Sequence, residues 1–455
     1  MDLGKDKVGS LLFKLALPAI IAQLVNVLYN IVDRIFIGRM ASGELAMAGV
    51  GVAFPIIIII SAFSALIGMG GAPLAAIKMG EKDNDGAENI VSNSFSTLVL
   101  IGLGLTIVLL IFQEPILWAF GASDQTIGFA KDYLTIYLVG TIFVQIALGM
   151  NPFINTQGFA KTGMVTVMVG AAINIILDPV FIFGFGMGVK GAALATIIAQ
   201  GVSAIWVLCF LFGKKSILKI RKKYIIPNPK VMLGIMALGI SPFIMQATES
   251  LVLISLNNQL KLYGGDLAIG AMTIMSSIMQ IIMLPLMGLS QGAQPIISYN
   301  YGGKQVDRVK KTFKLLIICC ITYTTIMWAS LMIFPEVFVG IFNKDPGLMA
   351  ITTWSIKIYF SGILLFGAQM ACQQTFLALG QAKISLILAL LRKIILLIPL
   401  IFILPMFVEG DTAKLQGVLA AEPVADILAA LSTIVCFAIF YKRTLNNDLD
   451  VKTGD

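Results

Sequence analysis

No histidine occurs anywhere in this chain of 455 residues. That absence removes the metal-binding helix motif HExxH and any imidazole base, and with them much of hydrolase chemistry. Charge is scarce as well. Only 12% of the residues are charged against 58% hydrophobic, and the mean hydropathy is +0.93. Soluble domains carry about 25% charged residues, so a water-soluble fold is excluded. The five cysteines (Cys209, Cys319, Cys320, Cys372, Cys436) form no CxxC, which argues against a disulfide frame or a thiolate metal site. They read as small apolar fillers. There is no GxxxxGK[ST] either: Gly213-Lys214-Lys215 lacks both the leading glycine and the hydroxyl residue. ATP-driven pumping within this chain is thereby excluded, and a membrane enzyme has little to build on. The first residues are mixed in charge, with no small-residue cleavage site after a brief apolar core. No cleavable signal peptide is expected, and the first helix would serve as its own insertion signal.

What the chain does have is apolar length. Stretches of about 20 apolar residues recur throughout, each long enough to cross a ~30 Å hydrocarbon layer as a helix. Periodicity and Gly/Pro breaks predict spans of roughly 11–38, 46–79, 89–112, 123–157, 162–184 and 188–213, then roughly 231–262, 267–299, 310–333, 349–378, 384–405 and 415–441. The predicted fold class is therefore an all-α integral membrane protein of twelve transmembrane helices.

The chain is also written twice. Gly70-x-x-Pro73 with Gly80-x-Lys82 recurs as Gly292-x-x-Pro295 with Gly302-x-Lys304, in the same order among the same apolar segments. The copies stand roughly 220 residues apart, so each is a set of six helices. Residues 1–213 are expected to form one lobe, 214–230 a basic linker, 231–441 a second lobe, and 442–455 a tail. The linker cluster Lys214, Lys215, Lys219, Arg221, Lys222, Lys223 and Lys230 joins Lys5, Lys7, Lys14, Lys78, Lys82, Lys161, Lys304, Arg308, Lys383 and Lys452 on one side of the membrane. By the positive-inside rule that side, with both termini, is the cytoplasm. Six spans per half also insert both halves the same way round, a parallel repeat. A further role for the linker in binding anionic lipid remains open. Topology explains the net charge of +8 without nucleic acid.

Carboxylates are kept within the membrane in the first copy, where the second has other residues. Asp33 falls opposite Asn257, and Asp178-Pro179 opposite Ile398-Pro399, where no acid stands. In the first helix Gln23, Asn26, Asn30 and Asp33 share one face, with Tyr29 beside it. Such a stripe must face the bundle interior or a water-filled cavity. Amides alone would equally serve to hold helices together. Asp33 shifts the balance, because a carboxylate at membrane depth costs several kcal/mol. A salt bridge to the adjacent Arg34 is the plainer alternative. In the fifth helix Asn174 and Asp178 stack at i, i+4. Pro179 has no N–H and frees the carbonyl of Ile175, which suits a cation site or a proton-controlled bend, or simply a packing kink. Asp33 and Asp178 both lie ~7–9 Å below the outer helix ends, at 1.5 Å rise per residue. They are expected to share one outward-facing cavity, with Thr196 at similar depth.

The second half carries Gln246 and Glu249 on helix 7, Asn257 and Asn258 further along, Arg392 in helix 11, and Glu422-Pro423 with Asp426 in helix 12. Arg392 is expected to pair with Glu422 or Asp426. Glu249 has no partner near it in sequence and is a candidate substrate or cation ligand. Met272, Met275, Met279, Met283 and Met287 line one face of helix 8, reading as ordinary packing or as an adaptable ligand surface.

These segments together resemble the multidrug and toxic compound extrusion (MATE) family over nearly the whole chain. The resemblance is carried by Leu15-Ala16-Leu17-Pro18, Asn30-Ile31-Val32-Asp33-Arg34-Ile35-Phe36-Ile37-Gly38, Asn155-Thr156-Gln157-Gly158, Leu177-Asp178-Pro179, and the run from Gly292 to Gly302. The second-half wording is similar to a branch of exporters from Gram-positive bacteria. The resemblance implies two six-helix bundles in a V, and export of lipophilic organic cations in exchange for H⁺ or Na⁺. It maps a cation site onto Asp33, Asn174, Asp178 and Thr196, with Tyr29 and Asn26 alongside; Asp33 and Asp178 would be the ligands if the ion is Na⁺. Glu249, Gln246, Asn30, Asn155 and Met287 are candidate substrate contacts. Glu249 also stands where one family branch has an acid of a second-lobe cation site. The partner acid on helix 10 is missing, since Phe360 to Ala378 offers only Gln369, Gln373 and Gln374.

The expected function is secondary active, cation-coupled multidrug export by alternating access in a bacterial plasma membrane, by a monomer that needs no cofactor beyond its coupling ion. The rival within transport is a lipid-linked glycan flippase, whose cavity should be cationic to hold pyrophosphate. A channel would show no stoichiometric coupling.

Overall fold

A computed structural model describes residues 1–342 and 345–446. The tail beyond residue 446, Lys452 included, lies outside the described residues. The described residues form helices and connecting loops, with no strand among them. Among the described residues ten helices are long and apolar enough to cross a membrane, and two bent pairs, each taken as one span, bring the number to twelve. In chain order they are α1 Val8–Gly38, α2 Gly43–Gly80, α3 Asn84–Ala119, α4 Ile127–Val139 with Thr141–Thr156, α5 Ala160–Gly184 and α6 Val189–Phe212. The second set is α7 Pro229–Gly265, α8 Leu267–Gly302, α9 Val306–Ile333, α10 Pro346–Tyr359 with Ile363–Ala378, α11 Ala382–Phe407 and α12 Asp411–Thr444. The twelve predicted spans are all present, in two six-helix bundles.

The repeat is visible in irregularities as well as in helices. The fourth helix of each set is broken, α4 by 60° and α10 by 50°. The fifth helix of each set contains a π-helical stretch, Val180–Gly184 in α5 and Leu391–Leu397 in α11. Pro179, which cannot donate to the α ladder, directly precedes the first of these stretches. Lys82 and Lys304, the last residues of the repeated motif, both take a left-handed backbone, with φ of 63° and 55°. A non-glycine residue rarely adopts that conformation, so the two helix ends have been conserved in detail between the halves of this chain.

The motif glycines explain why the halves meet where they do. A Cβ on Gly70 of α2 would lie 2.2 Å from the Ile235 carbonyl oxygen of α7, and one on Gly292 of α8 would lie 2.5 Å from the Ala16 nitrogen of α1. At the helix ends, a Cβ on Gly80 would meet the Tyr299 oxygen at 1.9 Å, and one on Gly302 the Ile77 oxygen at 2.0 Å. Only glycine permits backbones to cross this closely. All four crossings lie toward the end that carries the N terminus and the linker, so the bundles are sealed together there. Leu11 and Leu15 of α1 pack into the core of the second bundle, while Ile235 of α7 packs into that of the first.

The linker is bound to the first bundle. Arg221 pairs with Glu88 at 2.7 Å and Lys223 with Asp85 at 2.5 Å. The Ile217 and Leu218 amides donate to the Gln157 side chain at 2.7 and 2.9 Å. Two of the cations offered as a lipid-binding cluster are therefore engaged within the protein.

Candidate functional site

Three elements of the first bundle bring the predicted residues together. α1 supplies Asn26, Tyr29, Asn30 and Asp33 from one face, α5 supplies Asn174 and Asp178 one turn apart, and α6 supplies Thr196. Asp178 is wholly buried, Asn174 is 1% exposed, and Thr196 is buried as well. The Asn174 amide holds them in place. Its Nδ2 donates to Asp178 Oδ1 at 3.2 Å and to Thr196 Oγ1 at 3.3 Å. Across from this pair, the Asp33 carboxyl faces that of Asp178. Arg34 does not close a salt bridge onto Asp33. It lines the same cavity with its guanidinium over the Phe54 ring, 4.8 Å from the centroid.

Two facing carboxyls are held apart by mutual repulsion unless a proton or a cation lies between them. The donor set fits such a guest. Asp33 Oδ1, Asp178 Oδ2 and Asn174 Oδ1 are buried oxygens with no hydrogen-bond partner. Three unsatisfied acceptors converging in one place are an unusual concentration, since most buried polar atoms are paired. Oxygen ligands of this kind suit a hard cation, and one carboxyl of the pair could equally carry a proton. Among the described residues no group of three His, Cys, Asp or Glu side chains could hold a metal ion, so any metal here would lean on amide and hydroxyl oxygens.

Two cavities flank this cluster; Asn174 borders the first and Asp33 the second, while Asp178, wholly buried, lines neither, so the two acids do not share the one cavity expected. The first, about 190 Å³, is lined by Asn26, Asn151, Asn155, Asn174, Gln291 and Gln294 among others, amides from both bundles. The second, about 280 Å³, is lined by Asn30, Asp33, Arg34, Tyr133 and Tyr137. Tyr29, Thr196 and Gln200 border both, so these three side chains form the partition. Tyr133 and Tyr137 stack with ring centroids 6.3 Å apart and line the second cavity opposite Thr196. Sequence reasoning missed these two tyrosines and Gln200. Their signal was the i, i+4 tyrosine pair just before the break in α4, legible only once α4 is known to face α6.

The second-half candidates do not join this cluster. Glu249 has no partner near it in sequence, as expected, but a distant one serves it: Lys393 Nζ donates to its Oε2. Arg392 and Lys393 both lie buried in the π-helical stretch of α11. Arg392 makes both of the pairs offered as alternatives, with Asp426 at 2.7 Å and Glu422 at 3.0 Å. Gln246 keeps a buried Oε1 without a partner and borders neither cavity. Met287 packs against the core of the second bundle with Met279 and Met283, while Met272 and Met275 lie within it.

Comparison with known proteins agrees with this architecture. The family model MatE matches residues 18–180 and again 241–403, one match in each half. The multidrug export protein MepA of Staphylococcus haemolyticus is 28% identical over 414 residues, covering 91% of this chain and 90% of the relative. MepA of Staphylococcus aureus (strain NCTC 8325 / PS 47) is 27% identical over 439 residues, covering 96% and 95%. Among solved structures, a MATE in the bent conformation superposes with a TM-score of 0.90 at 22% identity, over 98% of both chains. The outward-facing conformation of a multidrug resistance MATE family transporter of the MOP superfamily gives 0.88 at 23%, over 96% of both. At that identity the two structures speak to the fold alone.

Proposed function

The chain belongs to the MatE family of multidrug exporters, and from that premise we propose that it is a cation-coupled antiporter of lipophilic organic cations, driven by H⁺ or Na⁺. The observation that carries this reading is the Asp33–Asp178 pair with its unpartnered oxygens, beside the Thr196 partition that two cavities share. The Lys and Arg distribution supports a bacterial plasma membrane protein with both termini and the linker in the cytoplasm. Residues 1–213 and 231–441 are then the two moving lobes, and the glycine crossings seal the cytoplasmic side. The chain acts alone, as a carrier and not as an enzyme.

In the proposed cycle, a cation entering from outside settles between Asp33 and Asp178, where Asn174 and Thr196 complete its oxygen shell. Neutralising the pair removes the repulsion that holds α1 and α5 apart at this level. α1 then shifts, and the amide-lined cavity behind Tyr29 loses its grip on the substrate. The loaded carrier closes outside, parts at the cytoplasmic crossings, and releases the cation into the cell. Substrate taken up there re-forms the first state. Coupling requires only that cation and substrate favour different states, and about 5.5 kcal/mol of differential binding reverses a 99:1 population.

Charge argues against the lipid-linked glycan flippase. Amides and apolar side chains line the first cavity, and Arg34 is the single cation bordering either cavity, too little for a pyrophosphate. Purified protein in liposomes tests the proposal, with ethidium efflux measured separately under an imposed pH gradient and an imposed Na⁺ gradient. One gradient should drive efflux, and Asp33→Asn with Asp178→Asn should abolish it. Undiminished efflux in that double variant would refute the reading.

A further inference from the structure

The segment that leads into the first helix of each half is held by the other half. The linker leads into α7, and α3 of the first bundle binds its backbone at successive points. The Lys219 amide donates to Glu88 Oε1 at 3.2 Å, the Arg221 amide to Ser92 Oγ at 2.8 Å, and the Asn228 amide to Asn93 Oδ1 at 2.6 Å. Ser96 Oγ donates to the Ile225 carbonyl at 2.6 Å. Leu218 and Ile220 are buried in the core of the first bundle.

Residues 1–7 lead into α1, and the second bundle holds them in the corresponding way, from the start of α9 and the end of α8. Arg308, in the first turn of α9, donates to the Leu3 carbonyl at 2.9 Å and to the Asp6 carbonyl at 2.8 Å. Its Nε donates to Asn300 Oδ1 at 2.9 Å, and Asn300 Nδ2 donates to the Leu3 carbonyl at 3.0 Å. Asn300 is wholly buried, and Leu3 joins the core of the second bundle.

The two clasps are unequal. Among residues 1–7 Leu3 alone is buried, and the hydrogen bonds from the second bundle converge on two carbonyls. The linker is bonded at more places and buries more apolar surface, so both terms favour it. A cavity of about 550 Å³ opens between the two segments, bordered by Asp2 and Leu3 on one side and Ile217 on the other. Residues 1–7 are backed there by space instead of packing.

We propose that residues 1–7 are a releasable latch on the cytoplasmic side. When the lobes part, Arg308 and Asn300 let go of the segment ahead of α1, while the linker stays bound to the first bundle. The latch adds to the glycine crossings a contact that can break and re-form without repacking a helix interface. It rests on the two-lobe alternation proposed above, and not on which ion drives it.

Spin labels on the full-length protein, with the native cysteines replaced, follow three distances in separate samples. Lys5→Cys with Lys383→Cys reports the latch, Ile226→Cys with Lys161→Cys the linker, and Lys161→Cys with Lys383→Cys the lobes. Arg308→Ala should add a longer latch distance. It should also raise the long-to-short ratio of the lobe distance about tenfold, the order expected for losing one hydrogen bond to a charged group. The linker distance should stay single and narrow. Leu3→Asp breaks the clasp from its other side and should act alike; it decides the matter if Arg308→Ala fails to accumulate. A latch distance that stays fixed while the lobes open would overturn the proposal. So would a freed latch with the lobe distance unchanged, both distances unchanged in the two variants, or a linker distance that lengthens with the lobes. Efflux that no ion gradient drives would remove the antiport reading alone, because the three distances are read without an ion gradient.

Discussion

Alanine at position 80 would put a methyl carbon 1.9 Å from the Tyr299 carbonyl oxygen, where ordinary contact begins at 3.4 Å. The obstacle is backbone on a neighbouring helix and cannot rotate away. α2 and α8 must therefore part by about 1.5 Å at this point, in a seam packed as closely as a protein core. Overpacking of this size costs about 1–3 kcal/mol. The penalty exists only while the seam is closed. In the alternating-access account the same seam opens when the carrier faces the cytoplasm, so Gly80→Ala acts on one state and spares the other. A bias of about 2 kcal/mol shifts the population roughly 30-fold toward the inward-open state. Spin labels at Lys161→Cys and Lys383→Cys, with the native cysteines replaced, report this as a distance distribution across the lobes. The longer distance should gain weight in Gly80→Ala, and Gly302→Ala should act alike, because its methyl would meet Ile77 in the corresponding way. Unchanged distributions in a folded Gly80→Ala protein would refute the argument that these glycines hold the cytoplasmic side shut.

Three further outcomes follow from other parts of the molecule. Arg392→Ala leaves Glu422 and Asp426 buried without their shared cation, which should destabilise the protein by about 3–5 kcal/mol; Arg392→Ala with both acids changed to amides should recover much of that, both read by thermal unfolding. Asn174→Ala removes the amide that joins Asp178 to Thr196 and one unpartnered oxygen, and should weaken the coupling ion by about tenfold, read as the ion concentration giving half-maximal efflux. At the start of α3, outside the membrane, the Gly86 amide and then Lys78 hold the Asp83 carboxyl below its ordinary range. A depressed carboxyl contributes stability above its unfolded-state value and loses it as the pH falls through the folded one. The unfolding midpoint should therefore drop less on acidification in Asp83→Asn than in the parent.

Sequence reasoning reached the helices because twenty apolar residues announce a span regardless of what it packs against. The parallel repeat was legible from the glycine, proline and lysine motifs, though their physical role was not. Gly70, Gly80, Gly292 and Gly302 explain themselves only when the opposing backbones are in place. Helical spacing put Asp33 and Asp178 on interior faces, and Asn174, one turn before Asp178, came with it. Tyr133 and Tyr137 were invisible because nothing local says which face of a broken helix turns inward. Glu249 showed no partner because Lys393, which pairs with it, is far away in the chain, and such a pairing leaves no local signature to find.

The central claim is that cation and substrate compete through the Asp33–Asp178 pair. The most direct measurement is ion release from the purified protein on binding ethidium, followed with a pH indicator in weak buffer and with a sodium electrode. The account predicts that protons or sodium ions leave as ethidium binds, in proportion to it, and that Asp33→Asn with Asp178→Asn abolishes the release. Ethidium binding with no ion released, or release that persists in the double variant, would contradict it.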